Sequence, residues 1–143
     1  MMNAEQGWWI FALLSAFFAA LTTVFAKVGV ESISSNVATA IRTVVILIIA
    51  WGIVWAKGDM GELQQISPKT LWFLILSGVA TGLSWLCYFR ALQLGNASLV
   101  APIDKSGLVL VLVLSVLFLG EPLTIKVSVG TALVLAGTIV LIL

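Results

Sequence analysis

Val44–Trp55 reads VVILIIAWGIVW and Leu108–Leu119 reads LVLVLVLSVLFL. A strand of a membrane barrel is short and alternates apolar with polar side chains, because one face meets lipid and the other the lumen. Neither stretch alternates. Both are apolar on every side, the pattern of a helix surrounded by hydrocarbon. A helix needs roughly 20 mainly apolar residues to cross a bilayer. Five segments supply them: Trp8–Val28, Val37–Trp55, Leu71–Leu92, Ser98–Leu119 and Ile125–Leu143. The expected fold class is an all-α integral membrane protein of five transmembrane helices, forming one domain over residues 1–143 without an internal repeat.

Composition leads to the same place. Of 143 residues, 62% are hydrophobic and only 9% are charged, against about 25% charged in soluble domains. Mean hydropathy is +1.20. The net charge is +1 and the basic residues are scattered, so no nucleic-acid surface is expected. With no histidine, His-based catalytic triads are excluded; with Cys87 as the one cysteine, so are an internal disulfide and a Cys/His metal set. No enzyme, metal or cofactor is expected. Met1–Gly7 holds no Lys or Arg, and the apolar run from Trp8 continues to about Val28. The first span therefore reads as a retained helix rather than a cleaved signal.

Helix starts are marked unevenly. Ser67-Pro68 offers an N-cap followed by proline at the first helical position. Asn36 is the expected cap of the second span, and Asn96 or Ser98 of the fourth. Glu121-Pro122 is a weaker start for the fifth. The longest loop, Ala56–Thr70, carries Lys57, Asp59, Glu62 and Lys69.

Five spans put the two ends of the chain on opposite sides. One side carries Lys57, Lys69 and Lys126, the other Lys27, Arg42, Arg90 and Lys105, three against four. A Lys/Arg excess fixes orientation in a membrane, and here there is almost none. Either details beyond charge set one orientation, or the chain inserts both ways and pairs antiparallel with itself. Trp8, Trp9, Trp55 and Trp72 fall at one interface, as an aromatic belt does.

Helices in lipid associate through close backbone approach at small residues. Gly78 and Gly82 form a GxxxG pattern, Ala12, Ala16 and Ala20 recur at fours, and Gly130 and Gly137 stand seven apart. Plain helix packing accounts for them. Another face of the third span is polar: Ser77, Thr81, Ser84 and Tyr88 form one helical stripe, matched in the first span by Ser15, Ala19, Thr22 and Ala26. Such hydroxyls either bond back to their own helix or line a small-walled path for a polar solute.

Charges inside spans are costly, at least about 2.5 kcal/mol at a helix centre, and face a partner or a watery cavity. Arg42 lies roughly 8 Å into the second span and Asp104 about as deep in the fourth, so an Arg42–Asp104 pair is one expectation. Asp104 and Lys105 are about 100° apart around their helix, so Lys105 is expected to reach outward to headgroups. Lys27 and Arg90, near helix ends, are expected to snorkel to the interface and favour the C-terminal dipole. Pro102 has no N–H to give the Ser98 carbonyl. It reads as a hinge beside the charges or as a proline tolerated near a helix start.

Other membrane families are a poorer match. Small multidrug antiporters resemble each other in a glutamate embedded in the first span, and here no acid lies between Trp8 and Ala26. By contrast AIRTVVI (Ala40–Ile46), YFRALQLGNASLVAPI (Tyr88–Ile103), LFLGEPLT (Leu117–Thr124) and the glycine-bearing last span resemble, in order, the EamA-type domain of the drug/metabolite transporter superfamily. The resemblance implies ten spans built from two inverted five-span units, a solute cavity centred between the halves, and movement of metabolites such as amino acids, often outward. This chain has one half. An antiparallel homodimer of ten helices would restore the other. Glu121 stands at the family's GE position and reads physically as an acid favouring a helix N-terminus.

The expectation is thus a transporter, an exporter of small polar metabolites, in the inner membrane of a bacterium or archaeon. It would work by alternating access as a dual-topology homodimer. Spans one to four would line the cavity and span five would pack the pair. Substrate binding is assigned to Arg42, Ser77, Thr81, Trp85, Tyr88 and Asp104, the surplus of embedded positive charge favouring a solute with a carboxylate. The alternative is a non-transporting subunit or lipid-carrier flippase component of a hetero-oligomeric complex.

Overall fold

The computed structural model describes residues 7–143. Its helices are α1 (Trp8–Gly29), α2 (Ser35–Lys57), α3 (Pro68–Leu94), α4 (Ala97–Lys105), α5 (Gly107–Leu114) and α6 (Ile125–Ile142). A π-helical turn, Ser115–Leu119, continues α5, so α4, α5 and this turn make one span, Ala97–Leu119. The structure therefore has five helices long and apolar enough to cross a membrane, and no strand among the described residues. Span boundaries fall within three residues of those read from hydropathy. Contacts gather the chain into two compact units, one ending at Gln93 and the other running from Leu94 to Leu143.

In the first unit α1, α2 and α3 run alternately up and down. Ser67 Oγ accepts the Thr70 N–H at 3.1 Å, and Pro68 opens α3, as the Ser-Pro pair predicts. The cap of α2 is Ser34 rather than Asn36: Ser34 has extended backbone, and its Oγ accepts the Val37 N–H at 3.3 Å. Asn36 already lies inside the first turn, where its own backbone is helical. The helix ends at Gly58, whose φ of +78° is the left-handed conformation that glycine takes without steric cost. A short 3₁₀ segment, Asp59–Gln65, follows. Trp8, Trp9, Trp55 and Trp72 all stand exposed near the start of α1, the end of α2 and the start of α3, consistent with the belt.

The buried apolar side chains lie at the opposite end of this unit. Val30, Phe89 and Leu92 are the buried hydrophobic residues of the described chain. Around them polar groups tie α1 to the end of α3. Lys27 Nζ donates to the Leu92 carbonyl at 2.7 Å, and Gln93 Nε2 donates to the carbonyls of Val30 and Ile33 at 3.0 and 2.7 Å. The expected snorkelling of Lys27 thus takes a particular form. It caps the negative end of a neighbouring helix, where the last carbonyls lack helical partners.

In the second unit α4 and α5 pack against α6. Asn96 occupies the N-cap position of α4 without a side-chain cap bond, and Ser98 lies within the helix. Helical structure runs through Pro102 to Lys105; the interruption falls at Ser106, whose N–H bonds the Ile103 carbonyl at 3.0 Å in a tightened turn. The Pro102 carbonyl accepts the hydroxyl of buried Thr138 on α6 at 3.2 Å, a hydroxyl shared with Val134 O at 2.9 Å. Gly120, at φ +67°, ends the π turn, and Glu121 N–H returns to the Ser115 carbonyl at 3.3 Å. The cap of α6 is Thr124, not Glu121: its Oγ1 accepts the Val127 N–H at 3.3 Å. Glu121 and Pro122 belong instead to the linking turn.

Candidate solute-binding site

Arg42 stands two turns into α2, and Trp85 and Phe89 stand one turn apart on α3, so both rings lie on the same helical face. The Arg42 guanidinium carbon sits 3.2 Å from the Trp85 ring centroid and 5.6 Å from that of Phe89. The electron-rich ring face attracts a cation with about 0.5–2 kcal/mol, the upper end applying where water is excluded. Trp85 is held in turn by Tyr88, edge-on at 5.5 Å, and by Phe89, tilted at 5.5 Å. Tyr88 is anchored across to α1. Thr23 Oγ1 donates to Ala19 O at 3.0 Å, which commits its one proton, so the Tyr88 hydroxyl donates to Thr23 Oγ1 at 2.7 Å.

Arg42 and Phe89 form one wall of a cleft of about 350 Å³ whose other walls come from α1 and the start of α2. Those walls are apolar at Phe25, Ala26, Val30, Ile33, Ala38 and Ile41, with Thr22 as a hydroxyl. A second cleft of about 570 Å³, lined by Ser34, Asn36, Cys87, Arg90 and Gln93 among others, opens at the same end of α3. There Arg90 Nη1 donates to Gln93 Oε1 at 3.2 Å, holding the amide that grips the α1–α2 loop.

Of the residues assigned from sequence, the structure brings Arg42, Trp85 and Tyr88 together. Thr81 and Ser77 continue the Trp85 stripe toward the other end of α3, and Thr81 Oγ1 bonds back to the Ser77 carbonyl at 2.8 Å. Asp104 belongs to the other unit. Its carboxylate pairs with Lys105 Nζ at 3.4 Å, against the expectation that the two side chains diverge. Both are largely exposed, and Lys105 is long enough to turn back along the end of α4 despite the angle between their Cβ directions.

Two members of the site escaped the sequence reading. Phe89 carries the second ring of the Arg42 stack, four residues after Trp85, a spacing that was available. Thr23, rather than Thr22, meets Tyr88, while Thr22 lines the cleft. Adjacent threonines differ by about 100° around a helix, and hydropathy gives no means of choosing between them.

Five membrane-length helices, and no strand among the described residues, define a multi-pass membrane protein. The chain belongs to the EamA-like transporter family, whose model matches residues 6–143. It is 54% identical over 137 residues to an "Uncharacterized transporter in cobO 3'region" of Sinorhizobium sp, covering 96% of this chain and 97% of the relative. It is 31% identical over 138 residues to the "Uncharacterized protein MJ1333.1" of Methanocaldococcus jannaschii, covering 92% and 93%. No solved structure matches.

Proposed function

We propose that this protein exports small polar metabolites, amino acids being the class the family resemblance offers, by alternating access at a site built around Arg42. The five helices would act as one half of a ten-helix transporter completed by a second, antiparallel copy in a bacterial or archaeal plasma membrane. The observation that carries the reading is the Arg42–Trp85 stack beside an open cleft. An arginine inside a span is expensive in lipid, and here aromatic rings hold it at the edge of a space large enough for a small solute. Ser77 and Thr81 would extend the polar path along α3. Asp104, in the other unit, would act as a proton carrier.

Pairing is supported by three further facts. Lys and Arg divide three against four between the two sides, so charge opposes neither orientation. Among the described residues of the first unit nothing lies within 4 Å of a Cβ built at Gly78 or Gly82, leaving the GxxxG face of α3 open for close helix approach. The two relatives match over 97% and 93% of their own lengths, so the single five-helix unit recurs in them. The test is efflux from proteoliposomes loaded with a mixture of amino acids and organic acids, read by mass spectrometry. Selective loss faster than from empty liposomes is expected. No loss of any solute, together with co-purification of a second membrane protein, would favour a non-transporting subunit instead.

A further inference from the structure

The cleft beside Arg42 is unevenly furnished. Its cationic wall is a guanidinium whose face is occupied by the Trp85 ring at 3.2 Å. Stacking uses the face of the group and leaves its edge, where all five N–H donors lie, directed around the ring. Within residues 7–93 no carbonyl or side chain accepts a hydrogen bond from those donors, and no carboxylate pairs with them. The remaining lining is apolar apart from Thr22, and no acid belongs to it. A guanidinium edge is matched best by a planar carboxylate taking two parallel bonds. Apolar walls around it reward a hydrocarbon body, and a wall without an acid leaves an ammonium group desolvated and unpaired.

We infer that this cleft selects a monocarboxylate with a short apolar body and no ammonium group, its carboxylate on the edge of Arg42 and its body among Phe25, Ile33, Ala38 and Ile41. This deepens the transport reading and rests on it for the cleft's role. It departs from the amino-acid class: the preferred ligand is the deaminated counterpart of an apolar amino acid. Trp85 is a positioning residue here, holding the guanidinium plane so that its edge faces the cleft.

Binding to the purified full-length protein in detergent tests the inference, with isocaproate, isocaproamide, leucine and laurate as probes. Isocaproate should bind at least about tenfold more tightly than either isocaproamide or leucine. Arg42→Gln should remove that preference, with helix content by circular dichroism and elution volume unchanged. Arg42→Lys, keeping the charge but not the fork, should recover only part of it. Lys69→Gln, which removes an exposed positive charge at the far end of α3, outside the cleft, should leave binding as in wild type. If Arg42→Gln does not fold, Trp85→Leu gives the same reading through a weakened preference for isocaproate over the amide.

Leucine or the amide binding as tightly as isocaproate, or isocaproate binding unchanged in Arg42→Gln, overturns the inference, as does failure of every carboxylate to bind. Tighter binding of laurate, lost in Arg42→Gln, keeps carboxylate recognition and makes the bilayer its source. The transport reading fails separately. Isocaproate bound but never moved in proteoliposomes sinks transport and spares the site, whereas efflux indifferent to the carboxylate spares transport and sinks the selectivity.

Discussion

Arg42 combines a costly position with a specific partner. The sequence marks it as a charge inside a span, and the structure seats it on Trp85 and against Phe89. A cation–π contact contributes about 0.5–2 kcal/mol, so Trp85→Leu should slow transport by roughly twofold to thirtyfold, measured as initial efflux rate, with the helices intact. An unchanged rate would remove Trp85 from the site. Tyr88→Phe deletes only the bond to Thr23; interhelical bonds in membranes average about 0.6 kcal/mol, so unfolding in detergent should shift by about that much. What was legible at this scale was chemical type. An arginine in hydrocarbon announces itself, as does a hydroxyl stripe ending in an aromatic pair. Which hydroxyl meets Tyr88 was not, because Thr22 and Thr23 differ by a rotation that an apolar sequence does not encode.

The fourth span is assembled from pieces: α4 with Pro102 inside it, the turn at Ser106, α5, and the π-helical turn that ends at Gly120. Thr138 on α6 supplies a hydroxyl to the Pro102 carbonyl. Thr138→Val removes it while keeping shape, and should destabilise the protein by about 1 kcal/mol in detergent unfolding. Gly120→Ala forces a Cβ into the left-handed region and should cost about 1–2 kcal/mol. Should it cost nothing, the turn is not as described. Spans were legible because twenty apolar residues have few other uses. Caps were half legible. Ser67 is legible because proline follows it, whereas Asn36 and Glu121 compete on paper with the true caps Ser34 and Thr124, since capping depends on where the backbone turns extended.

At the scale of the molecule, the near-balance of Lys and Arg and the open GxxxG face of α3 belong together if two copies pair antiparallel. C-terminal alkaline phosphatase and fluorescent-protein fusions should then both report active protein, and one active fusion alone would end the antiparallel form. Gly78→Leu should abolish self-association, seen as loss of cross-linked dimer, without changing helix content. Family membership was legible from motifs spread along the chain, while pairing was not, because a partner's surface is not written in a list of spans.

The most direct test of the account compares efflux from proteoliposomes holding wild-type protein and Arg42→Ala at matched insertion. If Arg42 binds the solute, the wild type gives selective efflux and the variant only background efflux. Equal selective efflux by both would contradict it.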